Sequence, residues 1–157
     1  MAHPLIGIHA FLGELGIATF IWVFVELLNP TPQRIKRAKI ASIIGVLFFL
    51  LSWIAGGYYY LNIYGSNVKP LIKEGPQPWA HAIFTETKEH VFLFLPFLAI
   101  LASSLIFKSG KTISTNKKTR NAILILCIVI IAIGILMGAM GYLISTGARA
   151  ALEAKAG

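Results

Sequence analysis

The sequence predicts an all-α integral membrane protein that folds as a single up-down bundle of four transmembrane helices. Of the 157 residues, 57% are hydrophobic and only 13% are charged, whereas about 25% of the residues of a soluble domain are charged. Four apolar segments are each close to the roughly 20 residues that a helix needs to cross a bilayer. Because short connections favour antiparallel neighbours, we expect the helices to pack in an up-down-up-down order.

The first two helices are predicted over residues 4–28 and 38–61. The first apolar run lacks a preceding basic region and is interrupted by Glu14, so we expect a retained helix and not a cleaved signal peptide. The second run ends at three consecutive tyrosines, at positions 58–60. Tyrosine is enriched where membrane meets water, so this end of the helix is expected at a membrane surface.

The third and fourth helices are predicted over residues 80–107 and 121–147. The apolar core of the third covers only residues 91–107, so its first turns must contain the charged sequence TKEH. The connection before it, NIYGSNVKPLIKEGPQPWA, is rich in Pro and Gly and is expected to form a cap at the membrane surface. After the fourth apolar run, the tail ARAALEAKA favours helix and is expected to extend it.

Basic residues predict the orientation of the bundle. They are concentrated in the first and third connections: Arg34, Lys36, Arg37, Lys39, Lys108, Lys111, Lys117, Lys118 and Arg120. The second connection contains only Lys69 and Lys73. Since Lys and Arg accumulate on the cytoplasmic side, both termini are expected on the non-cytoplasmic side of the inner membrane. The net charge of +8 is then an orientation signal, with the lipid bilayer as partner and no nucleic acid expected.

Two histidines fall at one predicted depth. At 1.5 Å per residue, His9 lies about 28 Å and His90 about 26 Å from the ends of their helices at the basic connections. The first and third helices of an up-down bundle lie on a diagonal, so the two imidazoles could bind a flat macrocycle from opposite sides. Gly13 shares a face with His9, and Gly56 and Gly138 lie at the same depth, where they would leave room for a porphyrin. These residues predict a haem b bound by His9 and His90.

Three glutamates are candidates for tuning this cofactor or moving protons. Glu86 and Glu89 lie beside His90, where a carboxylate could accept a hydrogen bond from a metal-bound imidazole. Glu14 lies about 21 Å from the cytoplasmic end of its helix, and an ionisable residue inside the bilayer indicates a functional site. It could relay protons to a quinone, bind a histidine or a metal, or pair with Lys88.

The same residues permit other interpretations. His3 and His81 share a depth near the rim and form a possible second site, although His3 could instead cap the first helix. The glutamates and histidines also resemble the inventory of a di-metal site in a helix bundle, but the usual Glu-x-x-His spacing is absent. The stretch FTETKEH could be a capped helix start at the interface, and the glycines of the fourth helix could mediate helix packing.

Four apolar helices, with His9 and His90 on the first and third and HPLIGIH at the start, resemble the plan of four-helix membrane-bound b-type cytochromes. The resemblance covers the overall arrangement of the chain. It implies a haem b held by paired transmembrane histidines and electron transfer between quinones and soluble partners.

The sequence therefore predicts a membrane-bound b-type cytochrome or haem-binding subunit that carries electrons near the outer membrane face. Its expected partners are a quinone, other membrane subunits, or a redox protein on the outer face. Two alternatives stay open. One is a cofactor-free structural or anchoring subunit of a membrane complex, and the other is a small proton-coupled transporter that uses Glu14.

Overall fold

The fold is entirely helical. The computed structural model of the protein describes residues 3–156; the chain is 92% helix, and no strand occurs within that range. Four helices are long and apolar enough to cross a membrane. The prediction of an all-α protein with four long apolar helices is confirmed, and it indicates a multi-pass membrane protein in a lipid bilayer.

The four long helices are numbered α1 to α4 in chain order. They cover Pro4–Leu28 (α1), Pro32–Glu74 (α2), Ala80–Ser109 (α3) and Lys117–Ala156 (α4). A short helix, Thr112–Thr115, lies in the connection between α3 and α4. The bounds of α1 agree with the predicted ones, because His3 caps the helix by accepting a hydrogen bond from the Leu5 amide.

α2 begins earlier than its predicted start at residue 38. Thr31 caps the helix with its hydroxyl oxygen, which accepts a hydrogen bond of 3.3 Å from the Arg34 amide. Pro32 follows in the first turn, where the missing N–H costs nothing and the fixed φ angle suits a helix. The helix therefore includes residues 32–37, which were predicted to lie in the connection.

α2 also continues beyond its predicted end at residue 61. After the α-helical part come a π-helix, Tyr60–Val68, and a last α-helical segment, Lys69–Glu74. The predicted cap at the membrane surface is therefore mostly helix. Pro70 does not break it, because this proline falls in the first turn of the last segment, and Gly75 follows the end of that segment.

α3 begins at Ala80, as predicted, and contains two irregular stretches. Its first turns, Ala80–Thr85, form a second π-helix. The helix is interrupted again at residues 92–93, before its final segment, Phe94–Ser109. Pro96 explains this interruption, because proline cannot donate to the carbonyl four residues earlier and its ring crowds that carbonyl.

α4 extends beyond the predicted residues 121–147 at both ends. It begins at Lys117, just after Asn116, whose side-chain oxygen accepts a hydrogen bond of 3.1 Å from the Thr119 amide. It continues to Ala156, so the ARAALEAKA tail is helical, as its composition predicts.

Each long helix packs against two others, since α1 and α3 both contact α2 and α4. The contacts between α2 and α3 show that these helices run antiparallel. The Ser42 and Ser103 hydroxyl oxygens are 3.0 Å apart, and further along the pair Trp53 stacks on Phe92 with ring centroids 6.3 Å apart. α1 and α3 therefore lie on a diagonal of the bundle.

The interface between α1 and α2 depends on two glycines. A Cβ atom at Gly45 would lie 2.7 Å from the Phe20 ring, and one at Gly16 would lie 2.6 Å from the Phe49 ring. The two rings stack with their centroids 5.8 Å apart. Glycine at these positions lets both rings fill the interface while the helices stay close.

Apolar side chains fill the bundle and also cover its outside. Fully buried members of the core include Phe20, Val23, Leu27, Ile106, Ile123 and Ile130. Large apolar side chains are also exposed around the bundle, among them Phe11, Leu47, Ile54, Phe97, Ile125 and Ile135. Soluble monomers rarely expose contiguous apolar surface on this scale, so the outer surface fits contact with lipid.

The two ends of the bundle differ in their polar residues. At one end, which we call the arginine end, the buried carboxylate of Glu26 accepts hydrogen bonds from Arg34 Nε at 2.9 Å and Arg37 Nε at 2.7 Å. At the opposite end, α1 begins and α4 finishes. This second end carries Tyr60 and Tyr64, and we call it the tyrosine end.

Candidate functional site

The tyrosine end contains both π-helices of the described residues, Tyr60–Val68 in α2 and Ala80–Thr85 in α3. Well under 1% of residues in globular proteins are π-helical, and π-helical turns occur frequently at functional sites. Side chains from the two π-helices meet in a buried polar cluster. This cluster is the first of two candidate sites.

Tyr64, His81 and Thr85 form the centre of the cluster. They are 3%, 2% and 5% exposed, respectively. The Tyr64 hydroxyl oxygen lies 2.9 Å from His81 Nδ1 and 2.9 Å from Thr85 Oγ1. Thr85 can also donate to the carbonyl of Ala80 at 3.3 Å. Each polar group of this buried trio therefore has a hydrogen-bond partner, as burial requires.

His81 also contacts the accessible carboxylate of Glu86. The Nε2 atom of His81 lies 3.4 Å from Glu86 Oε1, and the Glu86 side chain is 46% exposed. One imidazole nitrogen thus faces a carboxylate that water can reach, while the other faces the buried Tyr64. This arrangement can carry a proton between the surface and the cluster.

Glu89 binds a second tyrosine. The Tyr60 hydroxyl donates a hydrogen bond to Glu89 Oε1, and the Tyr60 ring stacks on Tyr64 with centroids 5.5 Å apart. The sequence predicted that Glu86 or Glu89 would bind the His90 imidazole. In the structure, His90 Nδ1 instead lies 2.6 Å from the backbone carbonyl of Glu86. The two carboxylates contact residues of the tyrosine end: Glu86 contacts His81, and Glu89 accepts from Tyr60.

His9 lies in the interface between α1 and α2. Its Nδ1 is 2.8 Å from the carbonyl of Ser52 and 3.0 Å from the Ser52 hydroxyl. A Cβ atom at Gly56 would lie 2.6 Å from His9 Nδ1, and one at Gly13 would lie 3.4 Å from Ser52 Oγ. The space at Gly56 is therefore filled by the imidazole itself, and neither glycine opens room for a porphyrin.

The other predicted haem contacts face outward. His90 and Gly138 are exposed, and a Cβ atom at Gly138 would meet nothing within 4 Å. His9 lies between helices and His90 lies on the surface, so the two imidazoles do not fit a pair of axial ligands as they are placed. Within residues 3–156, no group of three or more His, Cys, Asp or Glu side chains could hold a metal ion.

Two surface pockets lie at the tyrosine end, with volumes of about 360 and 520 Å³. Residues of the last α-helical segment of α2 line them: Leu71 lines the first, Lys73 lines the second, and Glu74 lines both. Neither pocket is lined by His9 or His90. Neither therefore offers a cavity between the two predicted haem ligands.

Lys88 points from α3 towards α4. A Cβ atom at Gly141 would lie 3.3 Å from Lys88 Nζ, so glycine makes room for the ammonium group there. Among the described residues, no carboxylate lies within 4 Å of this nitrogen. The predicted pairing of Lys88 with Glu14 is not formed.

Glu14 is the centre of the second candidate site. Its side chain is exposed on α1 and forms no ion pair with any residue between positions 3 and 156. Three small residues are exposed on the same side of the helix: Gly7, Ala10 and Ala18. Together with Glu14 they form what we call the Glu14 face.

His3 and His81, the pair predicted as a possible second site, each have other partners. His3 accepts a hydrogen bond of 3.3 Å from the Leu5 amide at the start of α1, and its ring lies 5.8 Å from that of Tyr59. The capping interpretation of His3 is therefore the one that the structure supports. His81 is buried in the cluster, not at an exposed rim.

Sequence reasoning missed Tyr60, Tyr64 and Thr85 as site residues. The sequence predicts only that the tyrosines at positions 58–60 lie at a membrane surface and that FTETKEH, which contains Thr85, is a possible capped helix start. One available signal was the spacing of Tyr60 and Tyr64, since residues four apart share a helix face. The chain matches no protein-family model, no curated protein and no solved structure, so the geometry of the two sites is the basis for assigning function.

Proposed function

We propose that the protein is a structural subunit of a membrane complex, and that the Glu14 face of α1 binds a transmembrane helix of another subunit. One observation carries this proposal: Glu14 is exposed on α1 and forms no ion pair with a described residue. At 1.5 Å per residue, Glu14 lies about 15 Å from the start of α1 and about 21 Å from its end. That depth is too great for a short side chain to reach water.

A carboxyl group at this depth is costly when it faces lipid. Insertion measurements assign about 2.5 to 3.5 kcal/mol to a charged side chain at the centre of a transmembrane helix. A neutral carboxyl group without a hydrogen-bond partner is also unfavourable in an apolar medium. A donor from a neighbouring helix removes this cost, so the exposed carboxyl group favours a bound partner.

The residues around Glu14 suit close approach of such a helix. Ala10 lies about one turn before Glu14 and Ala18 about one turn after it, on the same side of α1 and at four-residue spacing. Small residues at this spacing let two helix backbones approach closely in a membrane. A donor on the partner helix would then come within hydrogen-bond distance of the carboxyl group.

We assign the partner a basic side chain at the depth of Glu14. A second copy related by a two-fold axis would present the same face and place one Glu14 against the other, since such interfaces are self-complementary. Two carboxylates in contact repel each other. A basic side chain on a different subunit would form an ion pair with the Glu14 carboxylate, and no such repulsion would arise.

The packed interior favours assembly over transport. The half of the bundle near the arginine end is filled by fully buried side chains, among them Val23, Leu27, Ile106 and Ile123. A transporter would need a polar path through this layer. The carboxyl group that a transporter would use is instead on the outside of α1.

The orientation that we propose places the arginine end in the cytoplasm and the tyrosine end outside the inner membrane. Arg34, Arg37, Lys108 and Lys111 lie near the ends of α1, α2 and α3 that meet at the arginine end. Basic residues in short loops accumulate on the cytoplasmic side. Both termini would then lie on the non-cytoplasmic side.

The experiment measures binding of a synthetic transmembrane helix to the protein in lipid vesicles. The protein carries a donor fluorophore, and a Leu/Ala-rich peptide with one central lysine carries the acceptor. A second peptide has leucine in place of that lysine. We expect the lysine peptide to bind more tightly, by about five- to tenfold, since interhelical polar contacts are worth about 1 kcal/mol.

Two variants and one control make the result specific to the Glu14 face. Glu14→Leu should remove the preference for the lysine peptide, and Ala18→Leu should weaken binding of both peptides. Ala132→Leu, at an exposed position of α4, should change neither the preference for the lysine peptide nor the affinity for either peptide. Equal binding of the two peptides, or a homodimer that forms through an engineered cysteine at Ala10, would overturn the proposal.

A further inference from the structure

We infer that His81 is a reversible proton-binding site at the tyrosine end, which is loaded from water through Glu86 and held in place by a hydrogen-bond chain through Tyr64 and Thr85. This function is separate from the binding of a partner helix at the Glu14 face. It rests on four contacts: His81 to Glu86, His81 to Tyr64, Tyr64 to Thr85, and Thr85 to the carbonyl of Ala80.

In the neutral state, His81 carries its proton on Nδ1 and donates it to the Tyr64 hydroxyl oxygen at 2.9 Å. The Tyr64 hydroxyl donates to Thr85 Oγ1 at 2.9 Å, and the Thr85 hydroxyl donates to the carbonyl of Ala80 at 3.3 Å. The Nε2 atom, 3.4 Å from Glu86 Oε1, is then free to accept a proton.

In the protonated state, both imidazole nitrogens carry a proton. The added proton is on Nε2 and is donated towards the Glu86 carboxylate. The hydrogen bonds from Nδ1 to Tyr64, from Tyr64 to Thr85 and from Thr85 to Ala80 keep their direction. One proton is added, no hydrogen bond is broken, and the same heavy-atom positions serve both states.

The proton reaches His81 from the surface through Glu86. His81 is 2% exposed, whereas the Glu86 side chain is 46% exposed and touches Nε2. Glu86 takes a proton from water and passes it to the Nε2 atom of a ring that is protonated on Nδ1. Carboxyl and imidazole groups in contact are an effective pair for such a transfer.

Charged groups of both signs surround His81. Lys69 and Lys73 face it from α2, and Glu86 and Glu89 face it from α3. From α4, Gly147 packs against this region beside Ala80, and it brings no charge. The two carboxylates favour the charged imidazole and the two ammonium groups disfavour it, so these four charges act in opposite directions.

The test follows the His81 ring nitrogens by ¹⁵N solid-state NMR, on the full-length protein in lipid bilayers. The signal is assigned by elimination with His3→Gln, His9→Gln and His90→Gln variants. As the pH is lowered from about 8 to about 4, we expect His81 to pass from a neutral ring protonated on Nδ1 to a ring protonated on both nitrogens. Tyr64→Phe should change the preferred neutral tautomer.

Hydrogen–deuterium exchange at the ring provides the second measurement. Glu86→Gln should slow exchange at His81 roughly 100-fold, because the carboxyl group that transfers the proton is lost. Glu153→Gln, at an exposed position near the end of α4, is the matched control and should leave the rate unchanged. A ring that keeps one neutral tautomer over this pH range, or exchange that Glu86→Gln does not slow, would overturn the inference. Neither result bears on peptide binding at Glu14.

Discussion

His9 and Ser52 join α1 to α2 by reciprocal hydrogen bonds. The Ser52 hydroxyl donates to the backbone carbonyl of His9 at 2.8 Å, and the carbonyl of Ser52 accepts from Nδ1 of His9 at the same distance. Ser52 is buried, and the imidazole fills the space beside Gly56. The histidine that the sequence predicted as a haem ligand is therefore part of a helix interface.

Ser52→Ala should destabilise the bundle by about 0.5 to 1.5 kcal/mol, because it removes the hydroxyl that donates to the His9 carbonyl, whereas the imidazole keeps its bond to the backbone carbonyl of residue 52. The measurement is the free energy of unfolding in detergent micelles. Ser66→Ala, which alters an exposed serine on the same helix, is the control and should have little effect. Equal stability of the two variants would show that the hydrogen bonds contribute nothing.

Gly45→Ala should also destabilise the bundle, by about 1 to 3 kcal/mol, because the added methyl group overlaps the buried ring of Phe20. Gly57→Ala is the matched control on the same helix, since a Cβ atom there meets nothing within 4 Å. The control should be neutral or slightly stabilising, as alanine favours helix over glycine. Thermal unfolding of both variants beside the parent protein measures the difference. If the Gly45→Ala variant unfolded at the same temperature as the parent protein, the result would contradict the close packing of α1 on α2.

Protein purified from a haem-competent host should show no Soret band. The reason is geometric: His9 is held in the interface between α1 and α2, and His90 lies on the surface of α3. The absorption spectrum, taken before and after reduction, is the measurement. A low-spin haem spectrum that disappears in both His9→Ala and His90→Ala variants would restore the cytochrome hypothesis.

Cysteine labelling tests the proposed orientation. A cysteine at Ser66 should react with an impermeant thiol reagent applied to intact cells, whereas one at Ser114 should react only after the cells are opened. Both positions are exposed and lie at opposite ends of the bundle. The parent protein is the control, because its single cysteine, Cys127, is buried. Reversed labelling would place the tyrosine end in the cytoplasm.

The sequence predicted the number of helices and the bounds of α1, because apolar length and a proline in the first turn of a helix are local signals. It did not predict the length of α2. Pro70 and Gly75 indicated a loop, but one falls in the first turn of a helical segment and the other follows its end. A proline marks the start of a helix as readily as its interruption.

The candidate sites show a different limit. A rise of 1.5 Å per residue gives the depth of a residue but not the direction of its side chain. His9 and His90 were placed at one depth, yet one lies in an interface and the other on the surface. The π-helix Ala80–Thr85 adds to the problem, because its wider turn brings His81 into contact with Glu86, five residues later. A period of 3.6 residues does not predict that pair.

The coupling between Glu14 and a basic side chain of a partner helix tests the proposed function most directly. It is obtained from four dissociation constants in lipid vesicles: parent protein and Glu14→Leu variant, each with the lysine peptide and the leucine peptide. The cycle separates the interaction of the two side chains from their separate effects on helix packing. We predict a favourable coupling free energy of about 1 kcal/mol. A coupling of zero would mean that Glu14 does not bind a basic partner and would contradict the assignment of the Glu14 face as an assembly surface.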